Sequence, residues 1–280
     1  GAEKRSSSRR RFTTIFRPRA GPKPKSPKDF GLFPASWLLS ASSSNSSGNK
    51  INCPTSDVGH YNMYRNIAFS ESYHIFNRGN NKQEIFKEER DWIRFLFIIL
   101  HFQSNITFDQ IGRHISYYVK HPMFDTKNKI PEIVQNRSAE LISFTLMPNH
   151  FHLSLTEIKE GGISEYLRRI QDAYTKYFNI KYKRTGHLFQ GSYKSVHIEN
   201  NEQLLHLSAY IHKNAKDLKE WEDEEYLFPW SSYQDYRQNR WGKLLKPDIV
   251  LEQFNNFKEY QKFVKTSLAK EKLSDKHLLI

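Results

Sequence analysis

Short apolar runs that end at turn residues recur along the chain from Tyr73 onward. The first run, residues 73–78, is rich in aromatic and β-branched side chains and ends at Gly79-Asn80-Asn81. This composition is typical of a strand followed by a turn. Four segments share this character and are predicted as strands: 73–78, about 140–147, about 151–156 and about 193–198.

Longer segments between these runs carry apolar residues at helical spacing. They are predicted as helices at about 83–103, about 163–183 and about 201–216. The resulting order, βαββαβα, is a ferredoxin-like pattern with one extra helix. We therefore predict an α+β fold in which helices cover one face of an antiparallel sheet.

Composition and the predicted elements divide the chain into three parts. Residues 1–66 are basic and Ser-rich, with too little apolar surface to offset the entropy of ordering, and are predicted as a disordered tail. Residues 67–217 form the predicted domain, interrupted at 104–138 by a polar segment that we expect to be an irregular insertion. Residues 218–280 are predicted as a C-terminal helical extension.

The amino-acid composition excludes several classes of protein. The net charge is +13, which suggests a polyanionic partner, but the folded part carries only a minority of this excess. The single cysteine, Cys53, excludes a disulfide framework or a cysteine zinc site within one chain. No apolar run reaches the length of a membrane span, so we expect a soluble intracellular protein with no membrane partner.

A pair of histidines gives the first chemical signal. His150 and His152 are two residues apart on a predicted strand, so their side chains point to the same face. Two converging neutral imidazoles form half of a divalent-metal site. A structural or surface role is the alternative. A histidine-triad hydrolase would need a third histidine where Ser154 stands, and an amidohydrolase barrel would need a longer chain.

The last predicted helix carries a second signal. Tyr210 and Asn214 are four residues apart and therefore share one helix face. The tyrosine hydroxyl could act as a nucleophile, and the asparagine amide one helical turn later could ligate a metal ion. Packing of Tyr210 in the core, with Asn214 ending the helix, is the alternative.

A basic segment, residues 181–194, interleaves cationic and aromatic side chains between glycines. This pattern suits neutralisation of a nucleic-acid backbone together with base stacking on single strands, although a solvated basic loop is equally compatible. The candidate DNA-binding residues are Lys181, Lys183, Arg184, His187, Gln190, Tyr193 and Lys194.

Four motifs in order carry a family resemblance: residues 73–80, 146–152, 186–191 and 210–214. With these motifs, residues 70–235 resemble the REP-associated tyrosine transposases, which belong to the HUH (His-hydrophobic-His) single-strand transposases of bacterial insertion sequences. The resemblance implies an HUH endonuclease type of fold. The chain departs from the family in having Ala215 where proline is usual, and Asn214 where relatives often have glutamine.

The resemblance also implies roles for individual residues. His150, His152 and Asn214 would hold Mg²⁺ or Mn²⁺, and Tyr210 would be the nucleophile that forms a 5′-phosphotyrosine. Because the unperturbed pKa of tyrosine is about 10, the phenol needs activation at neutral pH, either by the metal or by a basic neighbour such as Lys213. Arg78 joins the expected DNA-binding residues.

The expected partner is single-stranded DNA with hairpins, bound by a monomer or a homodimer in the bacterial cytoplasm, associated with the nucleoid. The family-like loop and the single tyrosine disfavour a replication initiator or relaxase. A domesticated, non-cleaving nucleic-acid-binding protein of the same fold remains the alternative.

Overall fold

The computed structural model describes residues 67–269, 273 and 275–278. The predicted tail at 1–66, with Cys53, lies outside the described residues, so its prediction stays open.

One four-stranded sheet organises the domain. Its strands are β1 (Ser72–Arg78), β2 (Ala139–Met147), β3 (His150–Glu157) and β4 (Lys194–His197). They lie in the order β2-β3-β1-β4, and every neighbouring pair is antiparallel. The predicted α+β class with a ferredoxin-like sheet is confirmed.

The first helix, α1 (Glu89–His101), begins later than the sequence suggested. A short 3-10 turn, Asn80–Lys82, lies just before the predicted start at 83, and Glu88 caps the helix through a reciprocal arrangement with Asp91. This capping box satisfies backbone N–H groups that have no partner inside the helix. The cap therefore explains why the helix starts at Glu89.

The insertion at 104–138 is not irregular, so that prediction was wrong. It contains α2 (Ile111–Lys120) and α3 (Ile130–Asn136). Helix α2 buries Ile115 and Tyr118, which are three residues apart on one face. Such a narrow apolar face is easily overlooked in a polar segment, because tertiary contact rather than strong periodicity stabilises the helix.

Helices lie on both faces of the sheet, which corrects the expectation of one covered face. Helix α1 and α4 (Gly162–Lys181) cover the apolar face, where Phe95 lies 5.2 Å from Phe151 between ring centroids. Helix α5 (Asn201–Lys213) lies against the other face, where the Tyr210 ring is 5.4 Å from His152. Neighbouring residues on β3 point to opposite faces, so the same strand serves both layers.

The C-terminal region packs around α5 and the edge of the sheet. Its described residues include the helices α6 (Asp235–Gln238), α7 (Asp248–Leu251), α8 (Phe257–Thr266) and α9 (Asp275–Leu278). Before them, the Trp230 carbonyl accepts a hydrogen bond from Leu146 N at 2.9 Å, and Ser232 N donates to the Phe144 carbonyl at 2.9 Å. This segment covers the outer edge of β2, which would otherwise expose unpaired backbone groups. Among the described helices, none has the length and hydrophobicity needed to cross a bilayer.

A buried carboxylate ties α1 to α4. Asp91 is fully buried and accepts hydrogen bonds from Lys181, Tyr177 (2.8 Å) and Tyr182 (2.6 Å). Burial alone would raise the pKa of Asp91, but the hydrogen bonds from these side chains and from Lys87 N hold it below its ordinary value. The charged form of Asp91 therefore stabilises the folded state.

We predict that Asp91→Asn lowers the free energy of unfolding by about 3 kcal/mol, because it leaves the Lys181 ammonium without a buried anionic partner. Urea-induced unfolding followed by tryptophan fluorescence measures this loss. The matched control is Asp172→Asn, which breaks an exposed pair with Arg168 (3.6 Å) and should change stability by less than about 0.5 kcal/mol.

The pH dependence provides a second check on Asp91. Because its folded-state pKa is depressed, its contribution is present above the unfolded pKa and is lost as pH falls through the folded pKa. The difference between wild type and Asp91→Asn should therefore shrink below about pH 4. A difference that is small at pH 7, or unchanged by acid, would contradict this role.

Candidate active site

The pairing of β1 with β3 assembles one polar face of the sheet. Phe76 lies opposite His152 and Arg78 lies opposite His150. On the other side of β3, Thr145 of β2 lies opposite His152. Since partners in a ladder point to the same side, all five side chains share the face that α5 covers.

His152 lies at the centre of this face and is fully buried. Its Nδ1 is 2.9 Å from His74 Nε2, whereas its Nε2 has no hydrogen-bond partner within the described residues. Burial, with smaller effects of His74 and His150, holds the pKa of His152 well below its usual value. The ring is therefore neutral at pH 7, and a lone pair on its unpartnered nitrogen could ligate a metal ion.

His150 is half-buried at the start of β3. Its Nδ1 lies 2.6 Å from Asn149 Oδ1, and the Asn214 side chain is close enough to affect its pKa. Burial lowers the pKa of His150 to about 4, against the opposing effect of the Asn214 hydrogen bond. This second imidazole is thus also neutral, and its ring centroid is 5.2 Å from that of His152.

Helix α5 brings Tyr210 and Asn214 to the two histidines. The half-buried Tyr210 ring meets the His152 ring edge-on, and Asn214 is buried in the 3-10 turn that follows the helix. Burial raises the pKa of Tyr210, the hydrogen bond from Asn214 lowers it, and the charge of Asp217 raises it. The Asn214 amide donates from Nδ2 to the Tyr210 carbonyl at 3.2 Å, and it affects the pKa of both His150 and the Tyr210 phenol.

This donor set fits a divalent metal ion. Among the described residues, no cluster of three His, Cys, Asp or Glu side chains could hold a metal, so a site here would have to include a ligand of another type. The amide oxygen of Asn214 is such a ligand, and the unpartnered Nε2 of His152 supplies a free lone pair. Two imidazole nitrogens and one amide oxygen are a donor set that would suit Mn²⁺ or Mg²⁺.

Two functional neighbours were missed at the level of sequence. His74 lies two residues before Phe76 on β1. Strand alternation would therefore have been enough to place its side chain on the same face as His150 and His152. His212 is fully buried, with Nε2 2.8 Å from Ser232 Oγ and Nδ1 2.6 Å from Tyr260 OH. His212 thereby fastens α5 to the C-terminal region, and only tertiary structure reveals this role.

Three of the candidate DNA-binding residues come together beside the histidines. Arg78, Gln190 and Lys194 line a cavity of about 400 Å³ whose wall includes Phe76. Arg78 Nε donates to Gln190 Oε1 at 2.5 Å, and Lys194 Nζ lies 5.9 Å from the centre of the Phe76 ring. The cavity therefore combines two cations with an aromatic face next to His152.

Two other candidates are used inside the protein. The ammonium of Lys181 contacts Glu88 and Asp91, and the ring of Tyr193 is buried with its hydroxyl 2.9 Å from Ser164 Oγ. Their positions give no support for a direct role in DNA binding, because both side chains are engaged in internal contacts.

The last three candidates lie elsewhere on the basic segment. Lys183 is exposed, and the guanidinium of Arg184 lies 5.4 Å from the centre of the Phe178 ring. His187 is exposed and lines a separate cavity of about 270 Å³ that also includes Lys176. These side chains do not line the cavity beside the histidines.

Comparison with known proteins gives three results. A search of curated proteins found no match. One similar solved structure is described as "Structure of the REP associates tyrosine transposase bound to a REP hairpin"; it has a TM-score of 0.41 and 14% sequence identity, and the match covers 63% of this chain and 85% of that one.

The third result concerns the family. Residues 115–214 match the family model described as "Transposase IS200 like", and the matched range includes His150, His152, Tyr210 and Asn214. The resemblance expected from the sequence motifs is thereby confirmed: over residues 115–214 this chain is similar to the IS200-like transposases.

Proposed function

We propose that this protein is a metal-dependent transposase and endonuclease that cleaves and rejoins single-stranded DNA at hairpin-associated sites. The observation that carries the proposal is the convergence of the Tyr210 phenol, the Asn214 amide and the imidazoles of His150 and His152 on one face of the sheet. All four groups belong to one chain, so the proposed site needs no second copy to be complete.

The proposed reaction is a transesterification at phosphorus. The Tyr210 hydroxyl oxygen forms a bond to the scissile phosphorus while the bond to the 3′ oxygen breaks. The phenol loses its proton, and the departing strand ends in a 3′-OH. The 5′-phosphotyrosine keeps the energy of a phosphodiester, so attack by another 3′-OH rejoins strands without ATP.

The surroundings of Tyr210 act on its pKa in opposite directions. Burial favours the neutral phenol, and the hydrogen bond from Asn214 opposes that effect by stabilising the phenolate. His150, His152 and Asn214 would hold Mg²⁺ or Mn²⁺, which supplies positive charge to the scissile phosphate when bound. Lys213 donates to the Ser267 carbonyl at 3.4 Å, so its contacts do not support the expected role as activator.

The cavity beside the site suits the strand next to the cleaved phosphate. Lys194 and Arg78 offer positive charge for phosphate, and the Phe76 ring offers a surface for a base. This combination supports single-stranded DNA over a duplex, because bases in a duplex are not free to stack on a side chain.

We predict that Tyr210→Phe abolishes the covalent protein–DNA adduct, with at least about a thousandfold loss, because the nucleophilic oxygen is removed. The measurement uses hairpin oligonucleotides with randomised single-stranded flanks, labelled at the 3′ end, incubated with Mn²⁺ and resolved in SDS. The label must be 3′, since a 5′-phosphotyrosine retains the downstream fragment.

The matched control is Tyr117→Phe, which alters a half-buried tyrosine on α2 outside the proposed site. It should form the adduct at the wild-type rate. Hairpin binding by the wild-type protein without any adduct would favour the non-cleaving binding protein instead.

We expect His152→Ala and His150→Ala to lower cleavage by at least about a hundredfold while hairpin affinity changes only a few-fold, because these side chains act on the phosphate and not on DNA docking. Cleavage rates and a filter-binding isotherm on the same preparation measure both quantities. His150 is the safer site, since it is half-buried and its loss perturbs the core less. Equal losses of cleavage and binding would refute this division of roles.

The salt dependence of DNA affinity distinguishes lysine and arginine side chains that contact DNA from those engaged in internal ion pairs. Lys194→Ala should weaken single-strand binding and reduce the slope of log affinity against log salt by about 0.7, as expected for one lost phosphate contact. Lys181→Ala should leave that slope unchanged, because its ammonium already contacts Glu88 and Asp91. The reverse result would place the DNA on the α1–α4 side of the domain.

A further inference from the structure

Three buried imidazoles form a continuous chain behind the proposed metal site. His277 of α9 lies with Nδ1 3.3 Å from His74 Nδ1, and His74 Nε2 lies 2.9 Å from His152 Nδ1. The planes of successive rings differ by 12° and 18°. His74 and His152 have no exposed surface, and His277 is 1% exposed. Nearly parallel rings at these distances suit N–H···N hydrogen bonds.

The hydrogen bonds along this row of imidazoles run in one donor-to-acceptor direction, because each contact between two ring nitrogens contains one proton. Burial favours neutral rings, each with a single N–H. If His152 carries its proton on Nδ1, it donates to His74, which then donates from its own Nδ1 to His277. If the direction is reversed, His152 Nε2 carries an N–H that is buried and without a partner in the described residues.

Only the first direction leaves a lone pair on His152 Nε2. A metal ligand must present a lone pair, and the hydrogen bond made by the other ring nitrogen sets which nitrogen that is. His74 has both nitrogens engaged, so it transmits the choice of tautomer from His277 to His152.

We propose that His74 and His277 are positioning residues that hold His152 in the tautomer and orientation in which Nε2 faces a divalent cation. This inference rests on the metal-dependent site proposed above. It gives the C-terminal helix α9 a role in that site, although His277 is 203 residues from His74 along the chain. His74 also lies edge-on to the Tyr210 ring, with 6.1 Å between the ring centroids, but in this scheme both His74 and His277 act on the metal through His152.

The first test measures Mn²⁺ affinity by titration calorimetry of the full chain, without DNA. His74→Phe keeps a planar ring but removes both hydrogen bonds, and we expect affinity to fall about 10- to 100-fold. His74→Gln places an acceptor oxygen near the position of the lost Nε2 and should recover most of the affinity. His277→Leu should weaken Mn²⁺ binding in the same direction as His74→Phe.

A matched control separates positioning from general damage. His101 is a buried histidine with two hydrogen bonds, to the Phe97 carbonyl and to Thr126 Oγ1, but it packs against the insertion. His101→Phe should lose stability and keep Mn²⁺ affinity. Should His74→Phe fail to fold, His277→Leu and His74→Gln carry the comparison.

A second test reads the tautomer directly. Long-range ¹⁵N–¹H spectra of the metal-free protein should show the proton of His152 on Nδ1, and this preference should disappear in His74→Phe. Unchanged Mn²⁺ affinity in His74→Phe, with normal adduct formation, would overturn the positioning role alone. A wild-type protein that binds no Mn²⁺ would overturn both this inference and the metal dependence proposed above, while a His152 proton on Nε2 would overturn the direction of the chain.

Discussion

The antiparallel register between β1 and β3 determines which side chains meet beneath α5. It sets Phe76 against His152 and Arg78 against His150, and so collects both imidazoles and a guanidinium on one face. A shift of one residue would turn His150 and His152 into the apolar layer and bring Phe151 out of it. The apolar face, packed against α1 and α4, strongly disfavours that shift. The core therefore specifies the geometry of the candidate site from the opposite side of the sheet.

The C-terminal region completes the site rather than merely extending the domain. His212 joins α5 to Ser232 and Tyr260, and Ser232 Oγ in turn accepts a hydrogen bond from Phe144 N of β2 at 2.9 Å. This network sets the position of the helix that carries Tyr210. Buried polar groups with all partners present give rigidity, so the tyrosine can be held against the histidines without a covalent link.

Much of the fold and the central pair of histidines followed from sequence, because local rules govern them. Alternation along a strand is enough to place His150 and His152 on one face, and helical spacing is enough to pair Tyr210 with Asn214. The remainder depended on contacts between distant segments. The helices of the insertion are stabilised by narrow apolar faces, and Tyr193 is buried although its neighbours are basic and exposed. Sequence likewise gave no sign that His277 reaches the centre of the sheet.

The central claim is that one divalent cation binds where the histidine pair and the α5 amide converge. Its most direct test is anomalous X-ray diffraction from crystals of the full chain soaked in Mn²⁺. We expect one strong peak in contact with His152 Nε2, the His150 ring and Asn214 Oδ1, beside the Tyr210 hydroxyl. A well-ordered site without a peak, or a peak bound by other residues, would contradict it.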